Sequence, residues 1–342
     1  MKQFLQRVVE GSDLSRDEMR EAAREMFKEE TPDVQIAGFL LSLRTKGETV
    51  DEIVGLVDVL QEKALPFSKK PIAYMDNCGT GGDGSQSFNV STTSAFVLAA
   101  AGCHVAKHGN RSVTSRSGSA DVLEVLNISL TLSATQTERV LQEANIAFLF
   151  AQHVHKSMKR VMKVRKDLGV PTILNLIGPL TNPLPLQYQV LGMYRGDLLE
   201  KFAHVLHELG RKRAVVIHGA DGVDEASLSG ENKLVFLEEG KIRTEILCPE
   251  DVGLARYSLQ DIRGGDATQN AQLLQNILNG TAPQAYVDTV LFNAGIGLYV
   301  AEKANTIAEG VHLARQIIEN SSAKEALETL QQSMDRIQEV AQ

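Results

Sequence analysis

Residues 78–93 read CGTGGDGSQSFNVSTT. Glycines at positions 79, 81, 82 and 84 let backbone N–H groups converge on an anion, because no Cβ blocks the approach. Asn89, Ser91 and Thr92 then stand at the entrance to a helix, and a helix N-terminus is itself an anion site. Gly79 to Gly84 also spell G-x-G-x-x-G, the pattern that seats a dinucleotide pyrophosphate. That chemistry needs the loop to open a helix at once, and an acid about 20 residues on to hold a ribose hydroxyl. Here the helix former TTSAFVLAAAG begins roughly eight residues late, and no Asp or Glu follows Asp83 until Asp121. A P-loop is excluded too, since Ser85 and Gln86 stand where Lys and Ser or Thr would follow the last glycine. Two readings remain: a polyphosphate pocket of another kind, or a flexible Gly/Ser loop with no ligand, which leaves the basic segment that follows unexplained.

The stretch between Asp83 and Asp121 holds no acid yet includes Lys107, Arg111 and Arg116, in a chain with 43 acids and 35 lysines and arginines. A polyphosphate pocket requires this, because a nearby acid repels the ligand unless a metal sits between them. Asp83 is the exception, and a metal or a ribose hydroxyl accounts for it. KHGNRSVTSRSGSADVLEVL follows the short strand GCHVA. Lys107 offers a point charge and Arg111 a fork for phosphate. Ser112, Thr114, Ser115 and Ser119 add hydroxyls, and Gly109 and Gly118 allow tight turns. Alone, KHGNR reads equally as a surface charge cluster; beside the glycine loop it forms a second wall of one anion site. In AVVIHGADGVDEASLSG a strand and a turn lead to Asp224–Glu225. The pair is either a solvated turn or a Mg²⁺ site, since that hard cation takes one or two carboxylates plus substrate phosphate oxygens and water. Arg165 lies in a run of six basic residues from Lys156 to Lys166. The run fits a solvated helix face, a nucleic-acid patch or a clamp for a substrate carboxylate, and residue type does not choose among them. His153 and His155 are expected to be non-ligands, because no further His or Cys lies close enough in sequence to complete a site.

The elements that must position these groups are of two kinds. The first sixty-odd residues read as helices. Ser15 with Glu18 and Thr49 with Glu52 form capping boxes, Leu14 is placed to staple onto Met19, and Thr31–Pro32 offers an N-cap with Pro at the first helical position. From about Pro71, short apolar runs (HVAKHG, AVVIHG, KLVFLEEGKI) alternate with helix formers (TSAFVLAAAG, DLLEKFAHVLHELG, NAQLLQNILNG). That alternation predicts an α/β domain with a mostly parallel sheet. NLIGPLTNPLPL carries three prolines within seven residues and reads as a hinge or linker. The net charge of −8 argues against non-specific nucleic-acid binding. No apolar run is long enough to cross a membrane, and the N-terminus lacks the apolar stretch of a secretion signal. Cys78, Cys103 and Cys248 are sparse and odd in number, as expected of free thiols in a reducing cytoplasm.

GTGGDGSQSFNVSTTSAF, AKHGNRSVTSRSGSADVLEVL, RKDLGVPTILNLIGPLTNP and HGADGVDEASL, in this order and spacing, resemble the four successive motifs of the anthranilate phosphoribosyltransferase family. Milder similarity extends over the chain, including GGDATQNA and LFNAGIGLYV. The resemblance implies transfer of a phosphoribosyl group from phosphoribosyl pyrophosphate (PRPP) to anthranilate in tryptophan biosynthesis. It implies a nucleoside phosphorylase/phosphoribosyltransferase-like fold with a small all-helical domain, residues 1–70 plus a returning segment at about 160–185. The α/β domain would take residues 71–159 and 186–342, and the helical domains would form a homodimer. Carried over, Gly79, Gly82, Asp83, Ser87, Asn89, Val90, Ser91 and Thr92 would hold PRPP, with Lys107, His108, Gly109, Asn110, Arg111, Ser112, Val113, Thr114, Ser115 and Ser119. Ser91, Asp224 and Glu225 would bind two Mg²⁺ ions per subunit. Gly79, Asn110 and Arg165 would face anthranilate, with Arg165 on its carboxylate. Ser87 stands where the family more often has threonine, and Gln152 and Lys156 where it often has prolines.

Overall fold

A computed structural model describes residues 1–341 apart from residues 69 and 113–115. The expected roles of Val113, Thr114 and Ser115 therefore lie outside the described residues. The N-terminal part is helical: α1 (Lys2–Val9), α2 (Arg16–Met26), α3 (Asp33–Lys46) and α4 (Val50–Glu62). Both capping boxes form, and α3 stops at Gly47, whose φ of 87° suits only glycine well. The expected Thr31 cap does not form: α3 opens one residue later, with Pro32 at the N-cap. The Thr31 hydroxyl is already committed, donating to the Glu25 carbonyl at the end of the preceding helix.

The rest alternates strand and helix: β1 (Tyr74–Gly79), α5 (Val90–Ala100), β2 (His104–Gly109), α6 (Ser119–Val125), α7 (Ala134–Ala144), β3 (Ile146–Phe150), α8 (Ala151–Val154), α9 (Lys159–Leu168), β4 (Leu186–Gly192), α10 (Leu199–Glu208) and β5 (Arg213–His218). Then come β6 (Asn232–Glu238), β7 (Lys241–Leu247), α11 (Ala267–Leu278), α12 (Gln284–Val300), α13 (Ile307–Glu319) and α14 (Ser322–Ala341). One seven-stranded sheet runs β3-β2-β1-β4-β5-β6-β7, parallel through β5 and antiparallel for β6 and β7. KLVFLEEGKI is thus not one strand but a hairpin, turned at Glu239–Gly240, both with positive φ.

Residues alternate between two cores, as strand geometry requires. Val215 and Ile217 of β5 face the core built with α5 and α12, while Ala214 and Val216 face the one built with α10 and the N-terminal helices. The proline-rich segment is no loose linker. It folds into two 3₁₀ turns, Ile173–Asn175 and Gly178–Leu180, and buries Ile173, Leu174, Ile177 and Leu180 in the helical core.

The strand order reverses direction at β1, which leads through α5 to β2 on one side and pairs with β4 on the other. Open α/β sheets bind ligands in the crevice at the carboxyl ends of strands at such a switch point. Both flanking strands end in glycine there, and Gly79 pairs with Gly192.

Candidate functional site

The loop after β5 folds back over that glycine pair. A Cβ on Gly79 would stand 2.8 Å from Asp224 Cγ, and one on Gly192 would stand 2.6 Å from the Asp224 carbonyl carbon. Neither strand end tolerates a side chain, because Asp224 occupies the space. Gly81, Gly82 and Gly84 all have positive φ (68°, 80° and 74°), a backbone conformation that glycine adopts without strain. Gly81 N–H donates to Asp224 Oδ2 at 2.6 Å, and Asp224 N–H donates to Asp83 Oδ2 at 3.4 Å. α5 has no side-chain cap from Asn89. Instead Ser91 N–H donates to Glu225 Oε1 at 3.2 Å, so an acid distant in sequence caps the helix. Asn77, Cys78, Gly79, Ser91, Gly192, Asp224 and Glu225 line one small cavity.

Asp83, Asp224 and Glu225 meet here without a lysine or arginine ion pair among the described residues. Burial, and then repulsion from Asp83, pushes Asp224 up to about 7. Burial, followed by Asp224 and Asp83, holds Glu225 well above the usual carboxylate range. Crowded acids of this kind are short of a cation. No group of three His, Cys, Asp or Glu side chains forms a ready cage among the described residues. The donor set is two carboxylates and a hydroxyl, the partial set that Mg²⁺ completes with phosphate oxygens and water.

The second wall departs from expectation at two residues. Lys107 is buried, its ammonium donating to the Asn77 carbonyl at 3.1 Å and to Ser91 Oγ at 3.3 Å. It braces Ser91 from below, and its charge acts on Glu225 from beneath the pocket. Arg111 does not stand open for phosphate: it forks onto Glu124 at 2.6 and 2.7 Å and reaches Asp121 at 2.8 Å. The acid-free stretch ends on those two acids in space. Gly109 packs beneath Ser119 and Phe148, and Ser119 Oγ donates to the Asn110 carbonyl. Ser112 N–H donates to Asp121. Ser87 pairs its backbone with Arg263, and Val90 and Thr92 are buried in the first turn of α5. Among the described residues the buried Thr92 hydroxyl finds no partner, an orphan that a phosphate oxygen would satisfy. Arg165 sits in the last turn of α9, half-buried and paired with no acid among the described residues. Burial alone lowers its pKa.

Several supporting residues carried no signal by type. Asn270 donates to Asn89 Oδ1 at 2.9 Å and accepts from Gly265 N–H, fastening the GGDATQNA segment to the glycine loop. Gln152 donates to Asn110 Oδ1 at 3.1 Å from a position where the family often has proline. Asp76, wholly buried, accepts from Asn182 and from the N–H groups of Asn77 and His108.

A family model described as a glycosyl transferase helical bundle domain matches residues 2–64, and the corresponding a/b domain model matches residues 72–324. A protein of Exiguobacterium sibiricum named anthranilate phosphoribosyltransferase is 52% identical over 331 residues, covering 97% of each chain. The chain belongs to the anthranilate phosphoribosyltransferase family. Among solved structures, that enzyme from Thermus thermophilus superposes with a TM-score of 0.92 at 38% identity, over 97% of this chain and 99% of that one. The enzyme from Saccharomyces cerevisiae, solved in complex with PRPP and Mg, superposes at 0.84 with 25% identity, over 94% of this chain and 92% of that one.

This member of the family also buries two histidines at the edge of its site. The His108 and His155 rings meet edge-on at 5.4 Å, while His153 engages the Leu132 carbonyl. Burial lowers His108 to about 3 and His155 to about 4, so both are neutral in the fold. A lowered histidine pKa means that the unfolded chain gains protons first as pH falls below about 6.5. The stability this neutral pair contributes is complete above that pH and is lost towards pH 4. The raised acids Asp76, Asp224 and Glu225 act in the opposite direction. The prediction therefore concerns the difference between wild type and His155→Asn. In urea titrations the wild type should lose about 2 kcal/mol relative to the variant between pH 7 and pH 5. A difference independent of pH would show that His155 is not held neutral. Cys78 is explained as well: burial and then Asp76 keep its thiol protonated, and it donates to Asp76 Oδ2 at 3.3 Å.

Proposed function

We propose that the chain transfers the phosphoribosyl group of PRPP to the amine of anthranilate, releasing pyrophosphate, as an anthranilate phosphoribosyltransferase of tryptophan biosynthesis. One observation carries this reading most directly. Among the described residues Asp224 and Glu225 reach the glycine loop from the turn after β5 with no lysine or arginine ion pair, and Asp224 rests on the two glycines that end β1 and β4. A polyphosphate loop joined to metal acids fits PRPP; a dinucleotide loop needs no such acids.

Gly79, Gly82, Asp83, Ser87 and residues 89–92 form the wall for PRPP, completed by residues 107–112 and Ser119. Ser91, Asp224 and Glu225 would hold Mg²⁺, two ions per subunit. Bound there, the metal would neutralise charge that builds on the departing pyrophosphate. The chain's own groups do the rest. The N–H groups of the glycine turn and of the first turn of α5 offer dipoles for the phosphates, those of Gly81 and Ser91 being held by Asp224 and Glu225. Arg165 orients anthranilate through its carboxylate, with Gly79 and Asn110 beside it, so the amine approaches ribose C1 opposite the leaving group. An aromatic amine is neutral at physiological pH, so its nitrogen lone pair attacks C1 without a strong general base. The C1–O bond to pyrophosphate breaks as the C1–N bond forms, and the surplus proton on nitrogen leaves to solvent.

The enzyme is further read as a cytoplasmic homodimer assembled through its helical domain, with no nucleic-acid partner. Val34 and Met162, on α3 and α9 which pack together, are exposed apolar side chains that support such a contact. A nucleoside phosphorylase shares this architecture but has no use for the anthranilate clamp.

Binding tests the site before turnover does. PRPP with Mg²⁺ should raise the melting temperature by several degrees, and PRPP with EDTA by much less. Equal shifts with and without metal would remove the acids from the pocket's function.

A further inference from the structure

LFNAGIGLYV lies in α12, whose role in the site has no explanation from residue type. The helix is buried on nearly every side. Its glycines press it against its neighbours: a Cβ on Gly297 would stand 2.8 Å from Leu98 of α5, and one on Gly295 would stand 2.7 Å from the Val311 backbone of α13. One polar side chain on this rigid platform, Asn293, lines the same cavity as Asp224 and Glu225.

Asn293 grips the backbone of Ala226, the residue directly after the acid pair. Ala226 N–H donates to Asn293 Oδ1 at 2.9 Å, and Asn293 Nδ2 donates to the Ala226 carbonyl at 2.9 Å. Nδ2 also donates to the Thr289 carbonyl at 3.0 Å within its own helix. The reversed amide would set donor against donor and acceptor against acceptor, so its orientation is fixed by the bonds it makes. Side chains that hold a ligating group in place raise affinity by removing the cost of ordering it.

We propose that Asn293 is a positioning residue that pre-orders the Asp224–Glu225 pair for the metal. The proposal rests on the reading of that pair as the metal site. Asp224 and Glu225 have few other restraints: each carboxylate receives one backbone N–H from the opposite wall. The peptide that follows them is fixed from α12. Asn293 acts through the loop that carries the acids.

The test is a Mn²⁺ titration followed by electron paramagnetic resonance, on full-length protein with saturating PRPP. Wild type, Glu225→Gln and Asn293→Leu are compared, leucine keeping the volume and removing the bonds. The Mn²⁺ dissociation constant should rise about tenfold in Asn293→Leu, with the KM for anthranilate unchanged and much of kcat restored at high Mg²⁺. A merely structural role would lower the folded fraction and kcat and leave the Mn²⁺ constant alone; that result overturns the proposal. If Glu225→Gln binds Mn²⁺ like the wild type, the metal reading itself fails. If only Asn293→Leu does, the positioning role fails alone. Should Asn293→Leu not fold, hydrogen exchange on wild type decides. The Ala226 amide should be protected without metal or PRPP, and protection that arises only after both are added would overturn the proposal.

Discussion

Turnover by Asp224→Asn or Glu225→Gln protein falls about 100- to 1,000-fold at limiting Mg²⁺, and part of the loss is recovered as Mg²⁺ is raised. The size follows from what each carboxylate does. Burial and neighbouring acids, Asp83 for Asp224 and both Asp224 and Asp83 for Glu225, hold each in a state that favours gaining a positive partner. Removing one negative charge lowers that drive, and the leaving pyrophosphate then departs with less of its charge neutralised. Glutamine at position 225 keeps an oxygen for Ser91 N–H, so the cap on α5 can persist. Asparagine at 224 likewise keeps an acceptor for Gly81 N–H. The variants should therefore melt near the wild type, or slightly above it, since a buried charge and its repulsion are removed. Initial rates across a Mg²⁺ series check this, and activity unchanged at limiting Mg²⁺ would sink the assignment of these acids.

Arg165→Ala raises the KM for anthranilate about 10- to 100-fold and leaves the KM for PRPP nearly unchanged. A charge-assisted contact contributes about 1.5–3 kcal/mol, which sets that range. The guanidinium is half-buried on α9, and its basic neighbours show the contrast: Arg160 and Lys163 both pair with Asp33, while no acid meets Arg165 among the described residues. An unpaired, partly desolvated arginine gains most from an incoming carboxylate. A lysine replacement should recover only part of the effect, because it lacks the planar fork. Paired KM measurements for the two substrates decide, and a larger change for PRPP would place the clamp elsewhere.

The glycine loop was legible because its demands are local. Positive φ at Gly81, Gly82 and Gly84 and close approach at Gly79 leave residue-type signatures that one sequence displays. Absence was equally readable: the missing acid and the late helix ruled out a dinucleotide fingerprint. α5 indeed begins only at Val90. Arg165 is not separable from its neighbours by type, since what distinguishes it is partial burial with no acidic partner among the described residues, where Lys156, Lys159 and Lys166 are exposed. Arg111 reads by type as an open fork, but Asp121 and Glu124 come back to it across a turn and α6. Lys107 reads by type as an open point charge, whereas the alternation of β2 sends its side chain under Ser91. Asn270 and Asn293 were invisible for a different reason. An asparagine that ties distant segments together has no characteristic spacing: Ala226 and Asn293 lie 67 positions apart in sequence, and Asn89 and Asn270 lie 181 apart.

Anthranilate fluorescence followed in one cuvette tests the central claim most directly. With protein, PRPP and Mg²⁺ present, the signal should fall to completion, with one pyrophosphate released for each anthranilate consumed. Omitting PRPP or Mg²⁺, or using Glu225→Gln protein at limiting Mg²⁺, should leave the signal nearly constant. A steady signal with the complete mixture, or an equal fall with EDTA in place of Mg²⁺, would contradict the account.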